Sequence, residues 1–229
     1  MDDALVASIK HDFALTLCIM TAVLLPVLSL ERARRVDNKA VSYAMSLACS
    51  LSMTAAGLFT VLPDFANVGF DVRVMVVDTR INRFICTFFG TFCLLDIAYG
   101  MLFYPKQIDL LTGWVHHSVY LWLMYYVHVH HIQGGFALFL VEELPTFLLA
   151  LGNVSREWRT NFAFGAAFFA TRIAWHGWLL SKFWAARRTI AQPLWPLVTL
   201  TLALHLHWFY GFTLQQMRRL RKARKAKSA

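Results

Sequence analysis

The sequence predicts an all-α polytopic membrane protein with about seven transmembrane helices. Hydrophobic residues make up 58% of the 229-residue chain, and its mean hydropathy is +0.51. Several apolar runs also reach the ~17–25 residues that cross a bilayer. A soluble domain cannot bury so large an apolar fraction. These observations place the protein in the membrane before any motif is considered.

The spans are predicted from the apolar runs and the polar residues that bound them. The first is expected to be a retained helix rather than a signal peptide, because Asp2, Asp3 and Asp12 outweigh Lys10 and no small-residue cleavage site follows. We expect an N-terminal helix with a basic loop over 1–39, a transmembrane domain over 40–215 and a basic tail over 216–229. The predicted spans are roughly 13–30, 40–62, 84–103, 112–128, 134–151, 160–181 and 194–215.

The orientation is predicted from Lys and Arg in alternate loops. With the C-terminus in the cytosol, the cytosolic side carries 14 of these residues and the other side 7. Because positive charge concentrates on the cytosolic side, this bias predicts a multi-pass protein with a lumenal N-terminus and a cytosolic C-terminus.

The C-terminal tail carries much of the net charge of +9. We interpret this charge as facing anionic lipid headgroups. The basic residues are not interleaved with aromatic ones on one face, so nucleic acid is not an expected partner. Lys225 and Lys227, three and five residues from the end, resemble a retrieval signal read by a coat of the endoplasmic reticulum. The predicted location is therefore the endoplasmic reticulum membrane.

An adjacent histidine pair, His116-His117, lies in an otherwise apolar stretch, with Asp109 seven residues ahead of it. Imidazoles inside a span are costly to insert and by default mark a functional site. At a rise of ~1.5 Å per residue, His116 is expected ~6 Å from the cytosolic end of its span. Adjacent side chains point ~100° apart on a helix, so one is expected to face a cavity while the other packs. The sequence is compatible with either a catalytic role or a packing role for the histidine pair.

Charged residues also lie deep inside the predicted spans. Asp96 and Arg172 both fall ~18 Å from a membrane face, and His205 has a similar depth. An unpaired Asp or Arg at a helix centre costs ~2.5–3.5 kcal/mol to insert. We therefore expect Asp96 and Arg172 to form an ion pair near the midplane. Such a pair would serve either substrate binding or helix register.

Glu142 and Glu143 stand just before Pro145, which is expected to kink its helix. One carboxylate is expected to orient a histidine or accept a proton, and the other to cap the kink. His205 and His207 face nearly opposite sides of a helix, which argues against a metal pair. The sequence shows no signature of a metal, haem or nucleotide site, so neither a metal nor a bound cofactor is predicted.

Five short motifs occur in an order that resembles a known family: Leu94-Leu-Asp96-Ile97, Asp109-x6-His116-His117, Glu143-Leu-Pro-Thr-Phe147, Phe168-Phe-Ala-Thr-Arg172-Ile173, and Trp208 in the last helix. Over about residues 40–215 the chain resembles the TLC (TRAM, Lag and CLN homology) domain family, which includes the ceramide synthases. The resemblance implies six helices around a central cavity open to the cytosol, with one extra N-terminal helix here. The pattern fits the shorter, divergent members, because Glu142-Glu143 stands where the synthases have a histidine-aspartate element.

The resemblance assigns acyl transfer to His116 and His117. Because an imidazole can act as a general base on an amine or hydroxyl, we expect Asp109 or Glu143 to fix the tautomer of the reacting ring. We expect a lipid amine or hydroxyl as acceptor and acyl-CoA, as a co-substrate, or a phospholipid as donor. An aromatic interior is expected to hold the acyl chain, supplied by Phe88, Phe89, Trp114, Tyr120, Phe168 and Phe169. The expected substrate-binding residues are Asp96, Arg172, His205, Trp208 and Tyr120.

Two other functions fit the same residues. A non-catalytic protein could use the cavity to bind, sense or transport a membrane lipid. A proton-coupled transporter would also use buried Asp, Arg and His, but the repeats and half-helices of such folds are not evident. Acyl transfer would require the imidazoles. Lipid binding would not, because the apolar surface of the cavity supplies most of the affinity of a lipid-binding protein.

Overall fold

The protein is all-helical. A computed structural model describes residues 3–227 and their side chains, except those of Asp3, Ala4, Thr112, Lys225 and Lys227. The two lysines of the predicted retrieval signal thus lie outside the described side chains. The α-helices are α1 Asp3–Arg32, α2 Asn38–Ala56, α3 Leu62–Asn67, α4 Val72–Met75, α5 Arg80–Phe103, α6 His116–Val129, α7 Gln133–Ala137, α8 Leu144–Val154, α9 Asn161–Phe168, α10 His176–Ala185 and α11 Trp195–Lys227. There is no strand among the described residues.

Three π-helical turns extend the α-helices into longer segments. Gly57–Val61 joins α2 to α3, Phe169–Trp175 joins α9 to α10, and Leu110–Val115 leads into α6. Short 3-10 turns occur at Pro105–Gln107, Leu140–Glu143 and Arg156–Trp158. Apart from the four-residue α4 and the 3-10 turns at Pro105–Gln107 and Arg156–Trp158, the described chain therefore has seven helical segments, at the seven predicted positions: 3–32, 38–67, 80–103, 110–129, 133–154, 161–185 and 195–227. We number these segments first to seventh.

Four segments are long and apolar enough to cross a membrane: Leu5–Arg32, Asn38–Asn67, Arg80–Phe103 and Trp195–Arg224. The outer surface agrees with a lipid environment, because large apolar side chains cover it. Phe162 is 88% exposed, Phe59 80% and Leu110 73%. A soluble protein rarely exposes such a surface. That the other three segments also cross the bilayer stays a prediction.

The third segment, α5, lies at the centre of the bundle. Its apolar window is 61% buried, against 17% in the first segment and 11% in the seventh. The second segment packs along the fifth, and Gly57 allows the closest approach between them. A Cβ atom at Gly57 would lie 2.9 Å from the backbone nitrogen of Val141. The fifth segment is broken just before Pro145, as predicted from the missing N–H group of that proline.

One end of the bundle gathers loops 33–37, 104–109 and 155–160 and the C-terminal part of α11. Most of the Lys and Arg residues lie here, and we call it the basic end. Asn38 Nδ2 donates to the carbonyl of Phe103 at 3.3 Å, and Arg156 Nη2 lies 3.7 Å from Asp37 Oδ2. These contacts hold the loops of this end together.

At the opposite end, Asp12 joins the first segment to the third. Its carboxylate is buried and accepts two hydrogen bonds from Arg80, at 2.5 and 2.6 Å. Farther along the same helix pair, the hydroxyls of Thr21 and Tyr99 lie 2.7 Å apart. The otherwise apolar first segment therefore has a fixed register against α5.

We predict that Asp12→Asn destabilises the protein by about 1.5–3 kcal/mol, because it removes charge-assisted hydrogen bonds from a buried group. Thermal unfolding of the detergent-solubilised protein measures the effect. The matched control is Asp71→Asn, because the exposed Asp71–Arg73 pair lies within α4 and its N-cap and joins no two segments. Equal losses in the two variants would show that the Asp12–Arg80 contact does not hold the first segment in place.

Candidate functional site

A cavity of about 260 Å³ opens among the second, third, fourth and fifth segments. We call it the polar cavity, because charged and imidazole side chains line it. Its polar lining includes Lys39, Asp96, Tyr104, Asp109, His116, His117 and Glu143. All four of the predicted catalytic residues thus line one cavity.

His117 is buried beside Asp96. Its Nδ1 atom lies 3.4 Å from Asp96 Oδ2 and has no hydrogen-bond partner in the structure. Tyr104 donates its hydroxyl to the other oxygen, Asp96 Oδ1, at 2.8 Å. Asp96 is therefore held by Tyr104 and faces the imidazole. A proton on Nδ1 of His117 would be stabilised by this carboxylate and would leave Nε2 as an acceptor.

The predicted ion pair between Asp96 and Arg172 is wrong. Arg172 Nε donates to the backbone carbonyl of Glu142 at 2.9 Å, and its Nη2 donates to Thr146 Oγ1 at 2.8 Å. The same nitrogen lies 3.6 Å from Glu143 Oε1. Arg172 lies in the π-helical turn of the sixth segment, which changes the direction of its side chain relative to an α-helix. Its carboxylate partner is therefore Glu143.

His116 lies where three cavities meet. Besides the polar cavity, it lines an aromatic cavity of about 300 Å³ among the fourth to seventh segments, formed with Phe164, Phe168, Arg172, Trp208 and Phe212. It also lines an apolar cleft of about 190 Å³ between the fourth and seventh segments. Many cleft residues are exposed on the outer surface, so we call this cavity the lateral cleft.

The aromatic cavity continues towards the basic end. It shares Leu149, Phe164 and Phe212 with an outer cavity of about 590 Å³. Arg159 and Arg218 line this outer cavity, and we call it the basic mouth. Two adjoining cavities therefore extend from the basic end to His116, the outer one lined by cationic groups and the inner one by aromatic rings.

Asp109 lines the polar cavity, but its Oδ1 accepts the backbone N–H of Leu111 at 2.8 Å. It therefore caps the turn that leads into α6. Asp96 also provides a carboxylate in this cavity, beside His117. Among the predicted substrate-binding residues, Tyr120 and Trp208 make ring contacts with His116, at centroid distances of 4.7 and 6.3 Å.

The predicted aromatic interior is correct only in part. Phe88, Phe89 and Phe168 are buried. Trp114 is 39% exposed and Phe169 is 54% exposed, so these two rings face outwards. Both lie in π-helical turns, whose wider spacing an α-helical periodicity does not reproduce.

A second polar cluster joins Glu142, His176 and His205, all of which are buried. His176 Nδ1 lies 2.7 Å from Glu142 Oε1, and His205 Nδ1 lies 3.7 Å from Glu142 Oε2. His205 therefore belongs to this cluster rather than to the polar cavity, although it also lines the lateral cleft. The three residues come from the fifth, sixth and seventh segments.

The predicted catalytic and substrate-binding residues did not include Tyr104, Thr146 or His176. His176 follows Arg172 by four residues, and Thr146 follows Glu143 by three. Helical spacing alone would therefore place His176 on the same helix face as Arg172 and Thr146 on the same face as Glu143. Tyr104 lies just beyond the end of α5, where no periodicity applies. Its role depends on the direction in which the chain leaves that helix.

Comparisons with protein-family models, curated proteins and solved structures found no match to this chain. The resemblance to the TLC domain family stays a prediction.

We predict that Asp96 is energetically coupled to His117 and not to Arg172. In a double-mutant cycle, Asp96→Asn with His117→Gln should show a coupling of about 0.5–3 kcal/mol. The control cycle, Asp96→Asn with Arg172→Gln, should be additive within about 0.5 kcal/mol. Thermal unfolding in detergent provides the free energies. Coupling in the control cycle alone would contradict the observed pairing.

Proposed function

We propose that this protein is a membrane enzyme of lipid metabolism that transfers an acyl group to a lipid amine or hydroxyl. The observation that carries the proposal is the position of His116, where the polar cavity, the aromatic cavity and the lateral cleft meet. An acyl transferase needs this combination: a reactive imidazole, a dry channel for a long chain and a polar site for the second substrate. The His117–Asp96 contact beside His116 supplies an oriented base.

The donor is an acyl-CoA or a phospholipid, and both have anionic phosphate groups and an acyl chain. Arg159 and Arg218 in the basic mouth are suited to the phosphates. The aromatic cavity leads from there to His116. The lateral cleft, lined by residues such as Val119 and Leu204, is suited to the acyl chain, because its apolar wall opens towards lipid. The carbonyl carbon of the bound acyl donor then lies beside His116.

The acceptor occupies the polar cavity, where His117 takes the proton from its amine or hydroxyl. The acceptor oxygen or nitrogen forms a bond to the carbonyl carbon. With a thioester donor, the carbon–sulfur bond breaks and the leaving thiolate receives the proton from the His117 imidazolium. Asp96 stabilises this imidazolium and is itself positioned by Tyr104. With a phospholipid donor, the ester carbon–oxygen bond breaks instead and the leaving alcohol oxygen receives the proton, so the transfer is balanced with either donor.

The proposed setting is the endoplasmic reticulum membrane, with seven spans arranged as in the TLC domain family. Supporting observations are the seven helical segments and the 14-to-7 distribution of Lys and Arg. The basic end then faces the cytosol, where acyl-CoA is available. The lysine spacing at the C-terminus is compatible with recognition by a retrieval coat.

We predict that His117→Ala reduces acyl transfer at least ~100-fold, the usual contribution of an acid–base group, and that His116→Ala also reduces it, because the His116 ring lies beside the reacting carbonyl carbon where the three cavities meet. The control is His207→Ala, which changes an exposed histidine of α11. The assay follows isotope-labelled fatty acid into cellular lipids, in cells that lack the native protein and express each variant at equal level. Full rescue by both variants would contradict catalysis and favour a lipid-binding or lipid-transport protein.

We also predict that Val119→Trp shifts the transferred chains to shorter lengths, because the larger side chain fills the lateral cleft. Each methylene that no longer fits changes selectivity by about 1–3 kcal/mol. The control is Val129→Trp on the same helix; Val129 is also exposed and does not line the cleft. Mass spectrometry of the products measures chain length. Identical chain profiles in both variants would show that the cleft does not hold the acyl chain.

A further inference from the structure

Glu142 lies in a buried site that has two carboxylates and one guanidinium. The side chain of Arg172 lies 3.6 Å from the carboxylate of Glu143. Towards Glu142, Arg172 donates only to the backbone carbonyl. The polar side chains around the Glu142 carboxylate are His176 and His205. A buried carboxylate is costly unless it is paired with a positive charge or binds a metal. The positive charge that compensates the Glu142 carboxylate must therefore lie beside His176 and His205.

His176 is held between two acceptors. Its Nε2 atom lies 2.8 Å from the carbonyl oxygen of Val198, so Nε2 carries the proton and donates. In a neutral ring the lone pair of Nδ1 then points at Glu142 Oε1, 2.7 Å away. Two lone pairs at this distance repel unless a proton or a metal ion lies between them. A histidine that donates its second N–H to a backbone carbonyl is the usual arrangement of a metal ligand.

His205 provides an independent observation. Its Nδ1 atom is buried without a hydrogen-bond partner, and its side chain is only 4% exposed. This nitrogen lies 3.7 Å from the second oxygen of Glu142. A proton shared by Glu142 and His176 leaves His205 unsatisfied, and an unpaired buried polar group costs about 1–3 kcal/mol. A ligand that binds all three residues satisfies it.

We infer that Glu142, His176 and His205 form a binding site for a divalent transition-metal ion of the Zn²⁺ class. One carboxylate oxygen and one ring nitrogen from each histidine lie within 4.8 Å of one another. Tetrahedral Zn²⁺ with bonds of ~2.0–2.1 Å separates its ligand atoms by ~3.3 Å, so ligand atoms at the outer limit of this range would approach by about 1.5 Å on binding. Two histidines and one carboxylate form a common donor set for zinc.

The site also has room for a fourth ligand. Glu142 and His176 line a small cavity of about 70 Å³, which is large enough for a water molecule. The ion would join the fifth, sixth and seventh segments at one point and neutralise the Glu142 carboxylate. It lies apart from the polar cavity that holds His117 and Asp96, and the inference does not depend on acyl transfer.

The test is metal analysis of the full-length protein purified in detergent, incubated with Zn²⁺ and dialysed. We expect about one equivalent of zinc in the wild type and in the control His207→Leu. His205→Leu and Glu142→Gln should each retain less than about a tenth of an equivalent. Cobalt substitution gives a second readout, because tetrahedral Co²⁺ has visible absorption bands that the two site variants should lack.

Folding is monitored separately, by gel filtration and by thermal unfolding without metal. Without metal, His205→Leu should unfold at the same temperature as the wild type or higher, because it removes an unsatisfied polar atom. Added Zn²⁺ should then raise the unfolding temperature of the wild type and of His207→Leu but not that of His205→Leu. Folded wild type that holds no zinc after loading would overturn the inference. A folded His205→Leu variant that retains a full equivalent of zinc would also overturn the inference.

Discussion

The structure depends on the contacts of Arg172 with the broken fifth segment. Its guanidinium binds the Glu142 carbonyl and the Thr146 hydroxyl and faces the Glu143 carboxylate. A charge inside an apolar bundle must find its partners within the protein. The 3-10 turn before Pro145 provides them, because it leaves a backbone carbonyl free of its usual partner. Arg172 thereby joins the fifth and sixth segments at the depth where the polar groups lie.

This junction separates two polar clusters. On one side Glu143 faces the polar cavity together with Asp96 and His117. On the other side Glu142 faces His176 and His205. Adjacent residues in a turn point in different directions, so the doubled glutamate serves both sites. The histidine pair divides similarly: His117 packs against Asp96, whereas His116 reaches three cavities.

The sequence predicted the positions of the seven helical segments and, within the polar cavity, Asp96, Asp109, Glu143 and the histidine pair. Both the length of an apolar run and the cost of burying a charge can be judged from the sequence alone. It did not predict which charges pair. A rise per residue gives the depth of Asp96 and Arg172 but not the direction of their side chains. The π-helical turn Phe169–Trp175 changes the direction of Arg172 and contains the exposed Phe169, and the turn Leu110–Val115 contains the exposed Trp114. The Glu142, His176 and His205 cluster needs three segments, so no local spacing indicates it.

The central claim is that an acyl group reaches His116 through the cavities that meet there. Photo-crosslinking tests it most directly, using an acyl-CoA with a diazirine next to the carbonyl carbon and peptide mass spectrometry to locate the label. The account predicts labelling of Tyr120 and Trp208, whose rings contact His116, and loss of label when excess unmodified acyl-CoA competes. Labelling confined to outward-facing residues such as Phe59 and Phe162, which are among the most exposed, would contradict it.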